Sequence, residues 1–431
     1  MLLSLRLNNC AIYSTEAEFS MRANGKYRRF PNNVASFGNI RALKSAILIG
    51  PNNTGKTNFV HAISMMRNVM LNRKAHIESN LFVESTITEM SVAFLENGGE
   101  YRFEFGYDTS ADEYVYEKFV AIKRTGKEMT EKSLLERNTI TGSYCSPDST
   151  LANSMKVASK NNILIYLMDT ESFPLLGEIK AIMTGFASRI DIVNSNNIPL
   201  QKTIEMLKQS GKNGKMVTSL IRHADLDMDD YRYISDENIK IVLDSVSDNG
   251  VDHLESALLS KTASPIIEML HLTSVYKGVP VPSVIFDSTG TKKIAALASY
   301  VVEALQAGRV LIVDELDSSL HFRLTRAIIS LFNNELNTSA QLIATVHDVS
   351  LLDCQKMFRK EQIWFTHKDQ NSAYLYSLAE FTAEADGVRD TSDLIGKYKK
   401  GVFGAIPEPD LFQTLLEVMS SGESNPEKSG T

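Results

Sequence analysis

The sequence predicts an α/β fold with an antiparallel β lobe and a helical insertion, and three observations carry that prediction. Apolar runs at residues 46–49 and 310–313 each end abruptly in a polar loop, the pattern of strands buried on both faces of a parallel sheet. Between them, residues 91–95, 101–107 and 114–123 alternate apolar and polar side chains. They are separated by the turn-like breaks Asn97-Gly98-Gly99 and 108–112, which reads as an antiparallel meander. Residues 164–270 then follow a mostly helical period, broken at Pro174, at Pro199 and over 210–214. That stretch is too short and too interrupted for a long coiled coil.

A chain of 431 residues is long for one simple core and suggests more than one lobe. The expected division is 1–150 for an N-terminal lobe, 151–270 for a helical arm, 271–410 for a C-terminal lobe and 411–431 for a tail. Residues 420–431 are polar and expected to be disordered. The net charge of −7 argues against a broad, non-specific nucleic-acid footprint, while a local basic groove stays open. Cys10, Cys145 and Cys354 lie far apart with no metal-binding spacing, as free thiols in a reducing compartment do. The first ten residues hold too short an apolar run for a signal peptide, and no uninterrupted run approaches membrane-spanning length. The expected location is therefore the cytoplasm, with no membrane partner.

In chain order, residues 2–7 read as a first strand. Residues 20–29 carry the turn signal Asn24-Gly25 and a small basic cluster, Lys26, Arg28 and Arg29. A solvated hairpin is the favoured reading there, over contact with a nucleotide. After the strand at 46–49 comes Gly50-Pro51-Asn52-Asn53-Thr54-Gly55-Lys56-Thr57, the G-x-x-x-x-G-K-T spacing of a phosphate-binding loop. Gly50 and Gly55 permit backbone angles that a Cβ would forbid. The loop N–H groups would form a nest for phosphate oxygens. Lys56 would reach the β- and γ-phosphates, and the Thr57 hydroxyl would take a Mg²⁺ position. From Asn58 to residue 70 there is no Pro or Gly, which suits a helix with its N-terminus toward the phosphates. Residues 131–150 read as polar loops, and 272–276 and 281–286 as further strands.

The second half of the site stands at Val310-Leu311-Ile312-Val313-Asp314-Glu315, an apolar strand ending in two carboxylates. Asp314 would hold Mg²⁺ through water, and Glu315 would polarise the attacking water as general base. Leu316-Asp317-Ser318-Ser319-Leu320-His321 follows. Another apolar strand over 340–345 runs into Val346-His347-Asp348, where His347 resembles the switch histidine that senses the γ-phosphate in ABC-type ATPases. Ahead of the acids, Asp287-Ser288-Thr289-Gly290-Thr291-Lys292-Lys293 precedes a helical run over 294–306, a second anion-binding helix N-terminus. Ser288 and Gly290 would hydrogen-bond a γ-phosphate, and Lys292 or Lys293 would add positive charge. No glutamine stands out as a further contact. Asp386, Asp390 and Asp393 read as a solvated acidic loop rather than a metal-nuclease site.

Together, GPNNTGKT, DSTGTKK, VLIVDELDSSLH and TVHD resemble the AAA-type ABC ATPases of bacterial overcoming-lysogenization-defect and abortive-infection systems. Residues 398–407 resemble a tail of their AbiLi- and RloA-like members, and the resemblance spans residue 1 to about 407. It implies a P-loop NTPase fold of the ABC-ATPase type, using ATP and Mg²⁺. It also implies a head-to-tail homodimer or higher homo-oligomer. Ser288, Gly290 and Lys292 of one subunit would close the site of the other, and Asp317, as the D-loop residue, would lie at their interface. The short S-x-G signature departs from the LSGGQ form of transporters, so a transporter is not implied. The implied function is an ATP-hydrolysing sensor or scaffold subunit of an anti-phage defence system that answers a phage-derived trigger. Its effector would be a separate toxic protein, a Toprim-like nuclease by similarity to the partner of the PARIS ATPase subunit, because too few residues follow His347 to hold that domain. Two other readings stay open: a RecF- or SMC-like ATPase acting directly on DNA in repair, and a non-catalytic nucleotide-gated scaffold.

Overall fold

A computed structural model describes residues 1–25, 27–125, 128–209, 211–224, 227–235, 265–389, 391–406 and 411–421. Lys26 of the basic cluster, Ser210, Asp390, residue 407, much of the expected arm (236–264) and the tail from 422 on lie outside the described residues.

The alternating N-terminus forms β1 (Leu2–Asn8) and β2 (Ala17–Ser20), followed by the hairpin β3 (Val34–Phe37) and β4 (Ile40–Leu43). β5 (Ser45–Ile49) is buried at every position and leads through the phosphate loop into α1 (Lys56–Met70). The inward stripe of α1, Phe59, Ile63, Met66 and Met70, recurs at helical spacing. The meander continues as β6 (Ile87–Glu96), β7 (Gly99–Asp108), β8 (Glu113–Thr125), β9 (Glu128–Asn138) and β10 (Ser143–Cys145). With β1 and β2 these form a seven-stranded antiparallel sheet in the order β10-β9-β8-β7-β6-β1-β2.

Residues 131–150, expected as loops, therefore begin inside β9. The exposed first half of that strand has no apolar alternation to read. It is held by its ladder to β8 and by cross-strand ion pairs, Arg102–Glu131 at 2.7 Å and Lys118–Glu136 at 3.0 Å. Deeper in, Arg137 pairs with Glu117 at 2.6 Å with both side chains buried. Burial pushes the Glu117 carboxyl above its ordinary range, against the downward pull of Arg137.

A second sheet is ordered β11-β15-β16-β5-β17-β18. Its new strands are β11 (Ile190–Asn194), β15 (Val310–Asp314), β16 (Gln341–Val346), β17 (Ile363–Lys368) and β18 (Ala373–Ser377). Every neighbouring pair is parallel except β17 with β18. Ala46, Leu48, Val310, Ile312 and Ile343 enter one hydrophobic core, shared with α1 and the antiparallel sheet. Ile47, Ile49, Leu311, Val313, Leu342 and Ala344 enter another on the opposite face. Burial on both faces is what makes these strands continuous apolar runs.

β11 falls in the span expected to be helical. It fills five residues between α2 (Pro174–Ala187) and α3 (Gln201–Lys208), too few for its period to stand out. The helical insertion proper starts after β11, with α3 and α4 (Lys212–Arg222) packed on α5 (Thr289–Ala307). A small sheet of β12 (Asp230–Tyr233), β13 (Leu272–Tyr276) and β14 (Val279–Pro282) accompanies them. The strand expected over 281–286 stops at Pro282, and Ser283–Phe286 makes a helical turn instead.

Gln341 stitches the two large sheets together. Its Oε1 accepts from Leu2 N at 2.7 Å, and its Nε2 donates to the carbonyls of Leu2 and Leu43, both at 2.9 Å. Buried Arg359 donates to the carbonyls of Asn24 (3.1 Å), Tyr27 (2.7 Å) and Arg29 (2.8 Å), which docks these three residues onto the body. Among the described residues no helix is long and apolar enough to cross a membrane.

Candidate nucleotide-binding site

β11, β15, β16 and β5 are adjacent in the core sheet, and the site is built from the loops at their carboxyl ends, where open parallel sheets form ligand crevices. After β5, Gly55 holds φ at 109°. A Cβ there would stand 2.8 Å from Ile12 Cδ1, 3.1 Å from Tyr13 Oη and 3.2 Å from Ala373 Cβ. Tyr13 Oη donates to the Gly55 carbonyl at 3.0 Å, and Thr54 Oγ1 meets Thr366 Oγ1 of β17 at 2.7 Å. The loop is thus fixed by the body before α1 begins. Gly55→Ala combines backbone strain with a clash, so it is expected to weaken ATP affinity about tenfold or more in a fluorescent-nucleotide titration.

Lys56 Nζ donates to the carbonyls of Gly50 (2.7 Å) and Pro51 (2.8 Å). Burial draws its ammonium below the ordinary lysine range, opposed by Asp314, Glu315 and Asp317. Thr57 Oγ1 donates to Asp314 Oδ2 at 3.0 Å, and Thr345 Oγ1 donates to Asp314 Oδ1 at 2.6 Å. The Thr57 hydroxyl and Asp314 carboxylate form a hard-oxygen pair that suits Mg²⁺, an ion that fills its other positions with water and phosphate. Among the described residues no three His, Cys, Asp or Glu side chains gather around a possible metal. A magnesium shared with a nucleotide needs no such cluster.

Glu315 lies just past the end of β15 with φ at 56°, a left-handed conformation uncommon for a glutamate. Its N–H donates to Thr345 Oγ1 at 2.7 Å, and its Oε2 accepts from Asn196 Nδ2 at 2.5 Å. His347 Nε2 stands 3.9 Å from Glu315 Oε1, with the imidazole 41% exposed. The backbone N–H groups of His347 and Asp348 both donate to Asp317 Oδ2, at 2.7 and 2.6 Å. Asp317 therefore fastens the His347 loop within its own chain. One crevice brings together Lys56, Thr57, Asp314, Glu315 and His347.

Sequence reasoning missed three contributors. Asn194 Nδ2 donates to Asp314 Oδ2 at 3.3 Å, and Asn196 bridges Glu315 and Ser318, accepting from Ser318 Oγ at 3.0 Å. These asparagine amides stand beside the carboxylates where no glutamine was evident. The available signal was Asn194-Ser195-Asn196 closing a short apolar run. Thr345 was hidden inside an expected strand. The pairing of Val313 with Ala344 sets Thr345 alongside Asp314.

The turn expected to bind a second anion lies elsewhere. Ser288 caps α5, its Oγ accepting from Thr291 N at 3.2 Å and lying 2.9 Å from Thr291 Oγ1. A Cβ on Gly290 would come within 2.8 Å of the Ser319 carbonyl oxygen. Ser288, Gly290, Thr291, Ser319, His321 and Arg323 contribute to an open pocket of about 520 Å³, and no residue of 50–57 lines it. Lys292, which follows Thr291 in the chain, is half-buried and is not among the residues that line this pocket. Lys293, the alternative cation, is turned inward. Its Nζ donates to the carbonyls of Glu315 (3.1 Å), Leu316 (3.0 Å) and Ser318, and burial lowers its pKa to about 8. It is not available to a phosphate. Of the acids near the C-terminus, Asp386 accepts from Thr382 N and Asp393 caps helix Leu394–Lys399, which are turn-forming roles.

Among solved structures the chain resembles an SMC head bound to the C-winged helix domain of ScpA, at 12% identity and a TM-score of 0.48, covering 87% of this chain and 97% of that one. It also resembles an SMC head domain from Thermotoga maritima, at 12% identity and a TM-score of 0.41, covering 87% and 98%. No curated protein matches. Residues 45–353 match the family model described as "AAA domain, putative AbiEii toxin, Type IV TA system". The match runs from β5 through the phosphate loop, the Ser288 turn and the paired acids to beyond His347, well over half of the chain, and the chain accordingly belongs to this AAA-domain ATPase family.

Proposed function

We propose that this chain hydrolyses ATP in sites shared between two copies, as the sensor or scaffold subunit of an anti-phage defence system that restrains a separate toxic effector. The spatial split carries the catalytic part of this reading. Lys56, Thr57, Asp314, Glu315 and His347 share one crevice, while Ser288 and Gly290 line a pocket that includes none of the phosphate loop. A second copy packed head to tail supplies Ser288, Gly290 and Lys292 to the γ-phosphate and sets Asp317 near the seam. Thr57 and Asp314 would hold a magnesium ion, which would supply neutralisation of charge on the phosphate oxygens. Glu315 takes the proton of the attacking water as the new P–O bond forms and the bond to the ADP oxygen breaks. Lys56 and His347 hydrogen-bond the γ-phosphate and stabilise the charge that develops.

The family description, with its putative toxin of a type IV system, supports a place in a system that includes a toxic protein. The net charge of −7 suits a regulator in the cytoplasm better than a clamp on nucleic acid. In this reading a phage-derived trigger shifts the ATP-bound dimer and frees a nuclease-like effector encoded as its own chain. The test is to co-express the chain with its neighbouring genes and measure native mass in ATP and Mg²⁺. An assembly of at least two copies holding a second, nuclease-like chain is expected. A bare dimer that gains mass only with duplex DNA would replace this reading with direct action on DNA.

A further inference from the structure

Lys293 has no part in the chemistry above, yet it is 6% exposed and aimed at the loop that carries the general base. An ammonium has three N–H donors. Here the three acceptors are the carbonyls of Glu315, Leu316 and Ser318, all on one short loop. That loop is conformationally demanding, with Glu315 at φ 56° and Ser319 at φ 57°. The Glu315 carbonyl also accepts from Ser318 N at 3.1 Å, so the need for a donor at this buried point falls on the carbonyls of Leu316 and Ser318. The loop meets the Ser288 turn at a second place, where the Ser319 carbonyl closes on Gly290. The other end of that turn is also fastened. The Asp287 carboxylate accepts from Ser274 Oγ and Ser283 Oγ, each at 2.6 Å, and from Tyr276 Oη at 2.8 Å.

We propose that Lys293 is a positioning residue that holds Glu315 in its hydrolytic geometry and locks it to the Ser288 turn of the same chain. The base of one site and the phosphate-gripping turn offered to the partner's site then move as one body. Engagement of Ser288 by the neighbour's nucleotide is felt at the first copy's Glu315. This rests on the reading of Glu315 as general base and of Ser288 as a contact made across a dimer.

The test uses the full chain with Lys293→Met, which keeps length without charge, and Lys293→Arg, which keeps donors. In Lys293→Met, kcat is expected to fall about tenfold or more with nucleotide affinity within about twofold, the split that marks an interaction made in the transition state. Lys293→Arg is expected to recover part of that loss. Hydrogen exchange in Lys293→Met is expected to quicken over 315–320 and stay unchanged over 45–60. A Lys293→Met protein with wild-type turnover and unchanged exchange at 315–320 would overturn the proposal. So would a parallel loss of binding and turnover with both segments opening. If the wild type hydrolyses no ATP, the ATPase reading fails by itself, and exchange over 315–320 alone decides the role of Lys293. Should Lys293→Met not fold, Lys293→Gln is read by the same measurements.

Discussion

Glu315→Gln is expected to bind ATP as tightly as the wild type and to hydrolyse it about a hundredfold to a thousandfold more slowly. Glutamine has the same shape and keeps an oxygen for Asn196 Nδ2, now 2.5 Å from the carboxylate, but it cannot take a proton from water. The groups proposed to hold the nucleotide are untouched, because Lys56 bonds to the loop carbonyls and Thr57 to Asp314 without the Glu315 carboxylate. Unhydrolysed ATP should therefore persist between two copies. Phosphate release and native mass in ATP are the two measurements. Turnover at the wild-type rate would remove Glu315 from the role of base.

Mixing two dead variants should restore activity. Lys56→Ala removes the ammonium of the phosphate loop, and Ser288→Arg fills the pocket beside α5. Each protein alone lacks a required part in every site. In a mixed dimer the two lesions fall in the same site, and the other site keeps a wild-type phosphate loop and a wild-type Ser288 turn. Random assembly of equal amounts makes half the dimers mixed, so at most about one quarter of the wild-type rate is expected, lowered by whatever the altered Ser288 turn costs the Glu315 of its own chain. Loss of the Ser288 cap costs about 1 kcal/mol, too little to unfold the chain. Activity that stays absent after the copies have exchanged would mean that each chain completes its own site.

The parts legible in the sequence were those where chemistry or two-sided burial restricts the choice of residue. A phosphate loop tolerates few side chains, and Ala46 to Ile49 and Val310 to Val313 must be apolar because both of their faces are covered. β9 was not legible, because its first half is exposed and its partners are ion pairs across the ladder. β11 is held by register with β15, from Ile190 opposite Val310 to Asn194 opposite Asp314, and no local pattern announces that pairing. The same register delivers Asn194 to the acids. Lys293 misled for a related reason: two adjacent lysines on a helix point in different directions, and only packing decides which is buried.

The central place of β5 dictates when the chain can become competent. Its neighbours are β16 and β17, with Ile47 set against Ala344 on one side and Ile363 on the other. Even Leu2 waits for Gln341. During synthesis the meander can close hairpin by hairpin as it emerges, while the phosphate-loop strand remains without either partner. At ordinary ribosomal speeds that wait is on the order of 15–60 s, with an apolar strand exposed throughout. A chain released before β17 would carry the complete GPNNTGKT stretch with the strand that presents it paired on one side at most. Nucleotide binding is therefore expected only after translation has passed residue 363, and until then the unpaired apolar strand leaves the nascent chain open to aggregation.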